Sequence, residues 1–452
     1  MPHHDGETGH ESPPDQDARI GDDDDLARRP ALSDAPEQEV RRRHVLYIPG
    51  YDPRDPGLYR RFAAFELRRF ARLWGAKVDV DDKHVEDPAI PSVRWTARAT
   101  AGDAKVEVGY ETLRWDDIVA RDFSTPLPLK LLAGFVTLFD ALFSGLLFRV
   151  ARAAPWCAIA WLFPVAVILF WTLLGVGLGY GVWRVAEAYG QGFAGVLAWI
   201  ALLVGTPLAA LAVMRKRGSF VVHLMDDGGA QRSYARRLDP LTEARIDAFA
   251  SRIRAIKAAA QVQELLIVGH SSGSFMAIDA VARALEAEPE LGNGDRPAIA
   301  LLTVGASELL VGMHPAAGWF RERLKRVAMD HGVFWAEVVA PWDTLNFPHR
   351  SPVEELKLDV PADCPNPTFR RAFLTKMLKA ESIAKLRRER NIFRAHFQFI
   401  MANEVRGPFD YFSLVCSPWR TKTQFRRTAK GAYMSPHLGA PVYPAPKEPV
   451  AA

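Results

Sequence analysis

The sequence predicts an α/β protein: a mainly parallel sheet flanked by helices, interrupted by an inserted helical transmembrane region. Three observations carry this expectation. Apolar runs containing β-branched residues, at 44–48, 265–268, 298–304 and 333–340, alternate with segments of helical spacing, as strands buried on both faces do. One of these runs leads directly into Gly269-His270-Ser271-Ser272-Gly273 and then a helix-like pattern. Apolar residues are also segregated, and the stretches 156–183 and 196–214 contain no charged side chain.

A chain of 452 residues has room for one large domain with additions, or for two. The net charge of +4 carries no nucleic-acid signature, and no nucleic-acid partner is expected. The three cysteines, Cys157, Cys364 and Cys416, are odd in number and far apart, which argues against a disulfide framework. No Cys/His cluster has zinc-site spacing, so neither a metal nor a cofactor is implied.

Residues 1–40 are polar and acidic, with Asp22-Asp23-Asp24-Asp25 and several prolines, and read as a disordered tail. They lack the basic start and apolar stretch of a signal peptide, so internal segments are expected to direct any membrane insertion. Residues 41–117 form the first part of the sheet domain. His44-Val45-Leu46-Tyr47-Ile48 is a strand ending in Pro49-Gly50-Tyr51, and a helix follows over about 57–74 with Gly75 as its stop. Alternating runs at 93–100 and 105–113, joined by Ala101-Gly102-Asp103-Ala104, read as a hairpin.

Residues 118–218 form the membrane insert. A helix needs about 20 apolar residues to cross a bilayer, and 156–183 and 196–214 qualify. The segment 131–150 carries Asp140 at its centre, a costly residue at mid-bilayer, and is expected to be interfacial or bundle-packed rather than an isolated span. The strands on either side of the insert belong to one sheet, which requires an even number of crossings. Arg149 and Arg152 before the pair and Arg215-Lys216-Arg217 after it place both outer ends in the cytoplasm. The chain is thus expected to be a multi-pass protein of the inner or cytoplasmic membrane, its sheet domain facing the cytoplasm.

Residues 219–418 form the second part of the domain. Phe220-Val221-Val222-His223-Leu224 reads as a strand, Asp226-Asp227-Gly228-Gly229 as a turn and 242–260 as a helix. From 367 to about 390 the pattern is a basic amphipathic helix, which either lies against anionic headgroups or presents a solvated face. Residues 419–452 are basic and Pro-rich and read as a loose tail.

The strand–turn–helix context places Ser271 at a sharp corner with its hydroxyl exposed, and the flanking Gly269 and Gly273 remove Cβ atoms that would crowd the turn. A serine becomes nucleophilic when an imidazole, oriented by a carboxylate, takes its proton. With aspartate and then histidine candidates downstream, the chain resembles an α/β-hydrolase of the lipase/esterase type over about 44–117 and 219–415. The resemblance implies an α/β-hydrolase sheet. Its acid follows the second strand after the nucleophile strand, a position held by Asp343, with Glu308 and Asp330 as weaker candidates. The base should follow Asp343: His396 lies in an aromatic-rich, foldable stretch, His349 only six residues on, and His437 in the loose tail. His270 reads as structural and directed elsewhere. The implied oxyanion hole uses the amide of Ser272 and a second amide from Gly50 or Tyr51; the His-Gly-Gly-Gly form of that loop is missing.

These parts predict acyl transfer to water. The expected substrate is an ester or thioester, possibly lipid-derived, and the bilayer is a partner. Residues Asp116, Asp117, Asp226 and Asp227 are expected to line the same rim in turn or capping duty. The competing expectation is a non-catalytic membrane protein that uses a hydrolase-like fold for binding or scaffolding.

Overall fold

The computed structural model describes residues 39–444, apart from 82–83, 88–89, 295–296 and 390. Its strands are β1 (Arg42–Ile48), β2 (Lys77–Val80), β3 (Val85–Asp87), β4 (Ser92–Ala101), β5 (Ala104–Leu113), β6 (Glu264–His270), β7 (Ala298–Val304), β8 (Val333–Val339) and β9 (Thr368–Arg371). They form one sheet in the order β2-β4-β5-β1-β6-β7-β8-β9, with β3 paired to β4. The strands β1 and β6, one before and one after the insert, are parallel neighbours, with Val45 opposite Leu266.

The sheet is mixed, which corrects the expectation of a mainly parallel one. Parallel ladders join β5-β1-β6-β7-β8-β9. The β4 strand pairs antiparallel with β5, β2 and β3. The cause is local: strands joined by as short a turn as Gly102-Asp103 can pair only antiparallel, because a parallel pair needs a crossover.

Side chains of β6 alternate between two core layers, as the period of two requires. Leu265 and Ile267 pack with Ile246, Phe249 and Ile253 of α8 and with Phe275 and Ile278 of α9; Leu266 and Val268 pack on the opposite side with Leu67 and Phe70 of α1. Here α1 is Pro56–Trp74, α8 is Pro240–Ala259 and α9 is Gly273–Ala287. Each such fully buried aliphatic side chain contributes about 1.5–3 kcal/mol. The start and stop of α1 follow its sequence signals. The Asp55 carboxylate accepts from Gly57 N–H, and Gly75 closes the helix at φ 62°.

Between β5 and β8 the remaining helices are α2 (Asp116–Ser124), α3 (Leu127–Phe143), α4 (Leu146–Ala153), α5 (Pro155–Ala188), α6 (Gly192–Lys216), α7 (Phe220–Ala235), α10 (Glu308–Gly312) and α11 (Gly318–Met329). Two of them, α5 and α6, are long and apolar enough to cross a membrane. They pack tightly on each other. A Cβ on Gly175 would lie 2.5 Å from the Leu202 carbonyl oxygen and one on Gly179 only 2.2 Å from the Trp199 ring. This is the close approach that small residues spaced by four permit. The Trp183 and Trp199 rings stack at 5.7 Å.

The segment 131–150 is not one helix. It breaks at Gly145, which has φ 74° and separates α3 from α4. Asp140 faces protein: Arg232 Nε lies 3.1 Å away and His314 Nε2 3.0 Å away, and Arg236 also pairs with it.

Three further expectations are corrected. Residues 220–224 and 226–229 are not strand and turn but one helix, α7, capped by Ser219. Its Phe-Val-Val run is apolar because it packs among α3, α5 and α6, so tertiary context overrides local β propensity. The stretch 367–390 is divided into β9, which extends the sheet from β8, and the short helix α13 (Ala380–Glu389), after α12 (Pro352–Glu355). The 419–452 stretch is not loose where described. After α14 (Ile392–His396) and α15 (Tyr411–Val415), α16 (Thr421–Ala429) buries Phe425, and Met434 is buried beyond it. Buried Arg43 ties this segment to the sheet. It pairs with Glu264 at 2.7 Å and donates to the carbonyls of Val415, Ser417 and Trp419. The acidic stretch 1–40 lies, up to residue 38, outside the described residues, as does 445–452.

Candidate active site

Ser271 occupies the corner between β6 and α9 with φ 55°, a left-handed conformation that a serine adopts only when its surroundings impose it. Its N–H donates to the Val304 carbonyl at the end of β7, at 3.1 Å. The flanking glycines are required by packing, as their spacing implied. A Cβ on Gly269 would meet Ser274 Cα at 2.7 Å, and one on Gly273 would meet the Ile48 carbonyl oxygen at 2.2 Å. The loop after β1 also presses on the corner: a Cβ on Gly50 would lie 2.8 Å from Ser271 Cβ and 3.3 Å from its Oγ. Gly50 and Ser272 thus both adjoin Ser271. The Tyr51 hydroxyl instead donates to Asp122 of α2, at 3.0 Å.

Asp343 and His396 are brought together. His396 Nδ1 and Asp343 Oδ2 are 2.7 Å apart, and both residues are buried. The carboxylate is held from three directions, since Oδ2 also accepts from Asn346 Nδ2 and Oδ1 from Leu345 N–H, each at 3.0 Å. With Nδ1 donating to the carboxylate, Nε2 carries the lone pair that a general base needs. Nε2 is buried and has no hydrogen-bond partner. The ring lies at the end of β7 too: a Cβ on Gly305 would be 2.9 Å from His396 Cε1, and Gly305 adjoins the residue whose carbonyl binds Ser271. Ser271 Oγ is not hydrogen-bonded to Nε2, an arrangement common in sites without substrate.

His270, expected to point elsewhere, lies against the imidazole. Its ring stacks on that of His396 at 4.8 Å, and Nδ1 is 3.4 Å from the Tyr47 hydroxyl. Burial, and secondarily the neighbouring His396, hold its pKa well below the usual histidine range, so it stays neutral under His396.

Asp227, expected on the rim in turn or capping duty, instead bonds a residue of the corner itself. Because 220–235 is a helix, Asp227 is turned toward the corner and accepts from Ser272 Oγ at 2.8 Å, with Gln231 Nε2 3.4 Å from the same oxygen. Burial raises its carboxyl to about 6, against the opposing pull of the Ser272 hydrogen bond. The only cue in the sequence was the Asp-Asp pair itself; its direction depended on the helix. The other acids of the expected rim have structural partners: Asp116 pairs with Arg114, Asp117 with Arg245, and Asp226 with buried Lys130. Glu308 is buried behind the corner and accepts from Ser274 Oγ at 2.9 Å. Asp330 closes the turn before β8, accepting from Gly332 and Val333 N–H. His437 packs on Trp74, away from Ser271.

The arrangement is therefore a strained serine, a buried imidazole–carboxylate pair and a glycine loop, all at the carboxyl ends of β1, β6, β7 and β8. Such ends are where open α/β sheets bind ligands. Helix α7 covers this edge, its His223 packing edge-on to Tyr51 and Phe393. Among the described residues no group of three or more His, Cys, Asp or Glu is placed to hold a metal ion. Comparison with known families, curated proteins and solved structures finds no match to this chain.

Proposed function

We propose that this chain is a membrane-embedded serine hydrolase that cleaves an ester or thioester, with Ser271 as nucleophile, His396 as general base and Asp343 as its orienting acid. The observation that carries the reading is the buried His396 ring. It spends Nδ1 on Asp343 and leaves Nε2 unpartnered at the end of β7, the strand end to which a serine of positive φ is also bonded. In the reaction, Nε2 takes the hydroxyl proton as Oγ attacks the carbonyl carbon. The proton then passes to the departing alcohol or thiol, and water repeats the sequence to release the acid. The amides of Ser272 and of Gly50 or Tyr51 are the proposed donors to the oxyanion; each such donor is worth about 3 kcal/mol. Helices α5 and α6 cross the membrane in this reading and leave the sheet domain on the cytoplasmic side, as the arginines at 149, 152 and 215 favour.

The test is labelling of the full-length protein by a fluorophosphonate. Wild type should label and Ser271→Ala should not; equal labelling of the two would refute the nucleophile assignment. The missing hydrogen bond between Ser271 and His396 favours a second reading, a hydrolase-like body that binds without catalysis. A folded wild-type protein that neither labels nor turns over esters would establish that reading instead.

A further inference from the structure

Helices α3, α5 and α7 enclose an apolar cavity of about 390 Å³, lined among others by Phe135, Leu138, Val165, Ile168 and Met225. That is a volume suited to a small ligand or a lipid chain. Its lining residues on α5 are Trp161, the pairs Pro164-Val165 and Ile168-Leu169, and Thr172, one step per helical turn and so one helix face. Followed back one turn, the same face reaches Cys157. Cys157 is buried in a cluster with Phe347, on the loop that carries Asp343, and lies within electrostatic reach of both Asp343 and Asp227. From Cys157 to Thr172 the stripe runs about 22 Å along the helix axis. A small void of about 20 Å³ adjoins the cavity, sharing Thr137, Trp161 and Gly228 with it. That void is also lined by Gln231, whose amide lies 3.4 Å from Ser272 Oγ. Gly228 packs directly on the Trp161 ring between the two, where a Cβ would come within 3.0 Å of Trp161 Nε1.

We propose that this cavity is the binding site for one acyl chain of a bilayer lipid, whose ester end lies toward the Gln231–Ser272 side of the cavity. The proposal rests on the hydrolase reading for what the chain's ester end meets, but the cavity's occupant follows from its own chemistry. The far end of the cavity, at Thr172, lies midway along α5. There Leu169, Phe170 and Leu173 are all more than half exposed, the surface a bilayer would cover. A chain of methylenes is the ligand that fits an apolar slot opening at that depth, and it enters without crossing water.

The experiment uses the full-length Ser271→Ala protein in phosphatidylcholine nanodiscs that contain a phosphatidylcholine with a diazirine in its palmitoyl chain. Crosslinked residues are mapped by mass spectrometry. Ile168, Thr172 and Phe135 should be labelled above the outward-facing Phe170 and Leu173. Gly134→Leu, which projects into the cavity against the mobile end of Met225, should lower that labelling about tenfold. Thr172→Trp, which shortens the slot from its far end, should do the same even if Gly134→Leu fails to fold. Labelling spread evenly around α5 and α6, and unaltered by either substitution, would mean that ordinary boundary lipid fills the groove, and the proposal falls. These readouts do not require Ser271 to react. Confined labelling of this variant, with a wild-type protein inert to fluorophosphonate, would keep the acyl site and remove the hydrolase, and wild-type turnover without confined labelling would do the reverse.

Discussion

Replacing Asp343 with Asn separates the two things the carboxylate does. Oδ2 accepts from His396 Nδ1 at 2.7 Å and from Asn346 Nδ2, while Oδ1 accepts from Leu345 N–H. All three neighbours are donors, and an amide offers only one acceptor oxygen. If the amide oxygen takes the Oδ2 place, two bonds survive and an NH₂ faces the Leu345 N–H. This is a buried donor-against-donor contact costing about 1–3 kcal/mol of stability. If the amide turns over, the NH₂ faces both His396 and Asn346. His396 can then bond only as the tautomer protonated on Nε2, which cannot accept a proton from Ser271. Each orientation keeps two bonds, and in the second the Asn346 amide can turn its unpartnered Oδ1 to accept a third. Either orientation removes the charge that stabilises the imidazolium formed as Oγ attacks, and the second also leaves the base in the wrong tautomer. Fluorophosphonate labelling should therefore slow by a factor on the order of 10³–10⁴, with thermal stability lowered as well. The assay is the pseudo-first-order labelling rate of purified Asp343→Asn against wild type, with a melting curve on the same samples. A rate within about threefold of wild type in a folded variant would show that the carboxylate does not serve the base, since even a tenfold loss corresponds to only 1.36 kcal/mol.

Other perturbations test the surroundings. Ser271→Gly removes about 1–2 kcal/mol of left-handed strain and returns part of that through a freer unfolded chain. It should melt above Ser271→Ala, which keeps the φ of 55°; the opposite order would show that the corner is unstrained. Gly50→Ala puts a Cβ 2.8 Å from that of Ser271 and should cost about 1–3 kcal/mol with slowed labelling, whereas an unchanged rate and melt would mean that the β1 loop yields freely. Asp227 has its carboxyl raised from 3.8 to about 6. The folded state therefore holds the proton more tightly, and the associated stability is complete below about pH 3.8 and lost as pH rises through about 6. Two pKa units amount to roughly 3 kcal/mol. Asp227→Asn should gain on wild type over that interval, and parallel stability–pH curves would count against a buried, ionising Asp227.

The parts of the fold that were legible in the sequence are those where a local pattern and a tertiary role coincide. The runs at 44–48, 265–268, 298–304 and 333–340 are mostly apolar, with Thr303 and Glu337 as buried exceptions, because helices cover both faces of these strands, so burial is written largely into composition. Gly269 and Gly273 were legible for the same reason: each sits where a Cβ has no room. The helix α7 was not, because Phe220-Val221-Val222 has the residue types of a strand and only its neighbours α3 and α5 make it helical. That one misreading gave Asp227 turn or capping duty and hid its bond to Ser272. The β9 strand was hidden within a basic run whose apolar residues fall by coincidence at helical spacing. Asp343 and His396 could be chosen by order and residue type. The stacking of His270 on His396 could not, since it depends on the loop after α13 returning over the end of β6.

The buried Arg43–Glu264 pair has a consequence for synthesis. Its partners are 221 positions apart, with α5 and α6 between them, and the carbonyls that complete Arg43's coordination come from beyond residue 414. At roughly 5–20 residues per second, translation separates the emergence of the two strands by about 10–45 s. During that interval β1 has only β5 beside it, with one flank open. The apolar hairpin leaves the ribosome within the same interval and is available to the insertion machinery before the sheet can close. In the membrane-embedded reading proposed above, anchoring precedes completion of the body, and a nascent chain whose hairpin is delayed would expose an apolar strand edge to chaperones and aggregation.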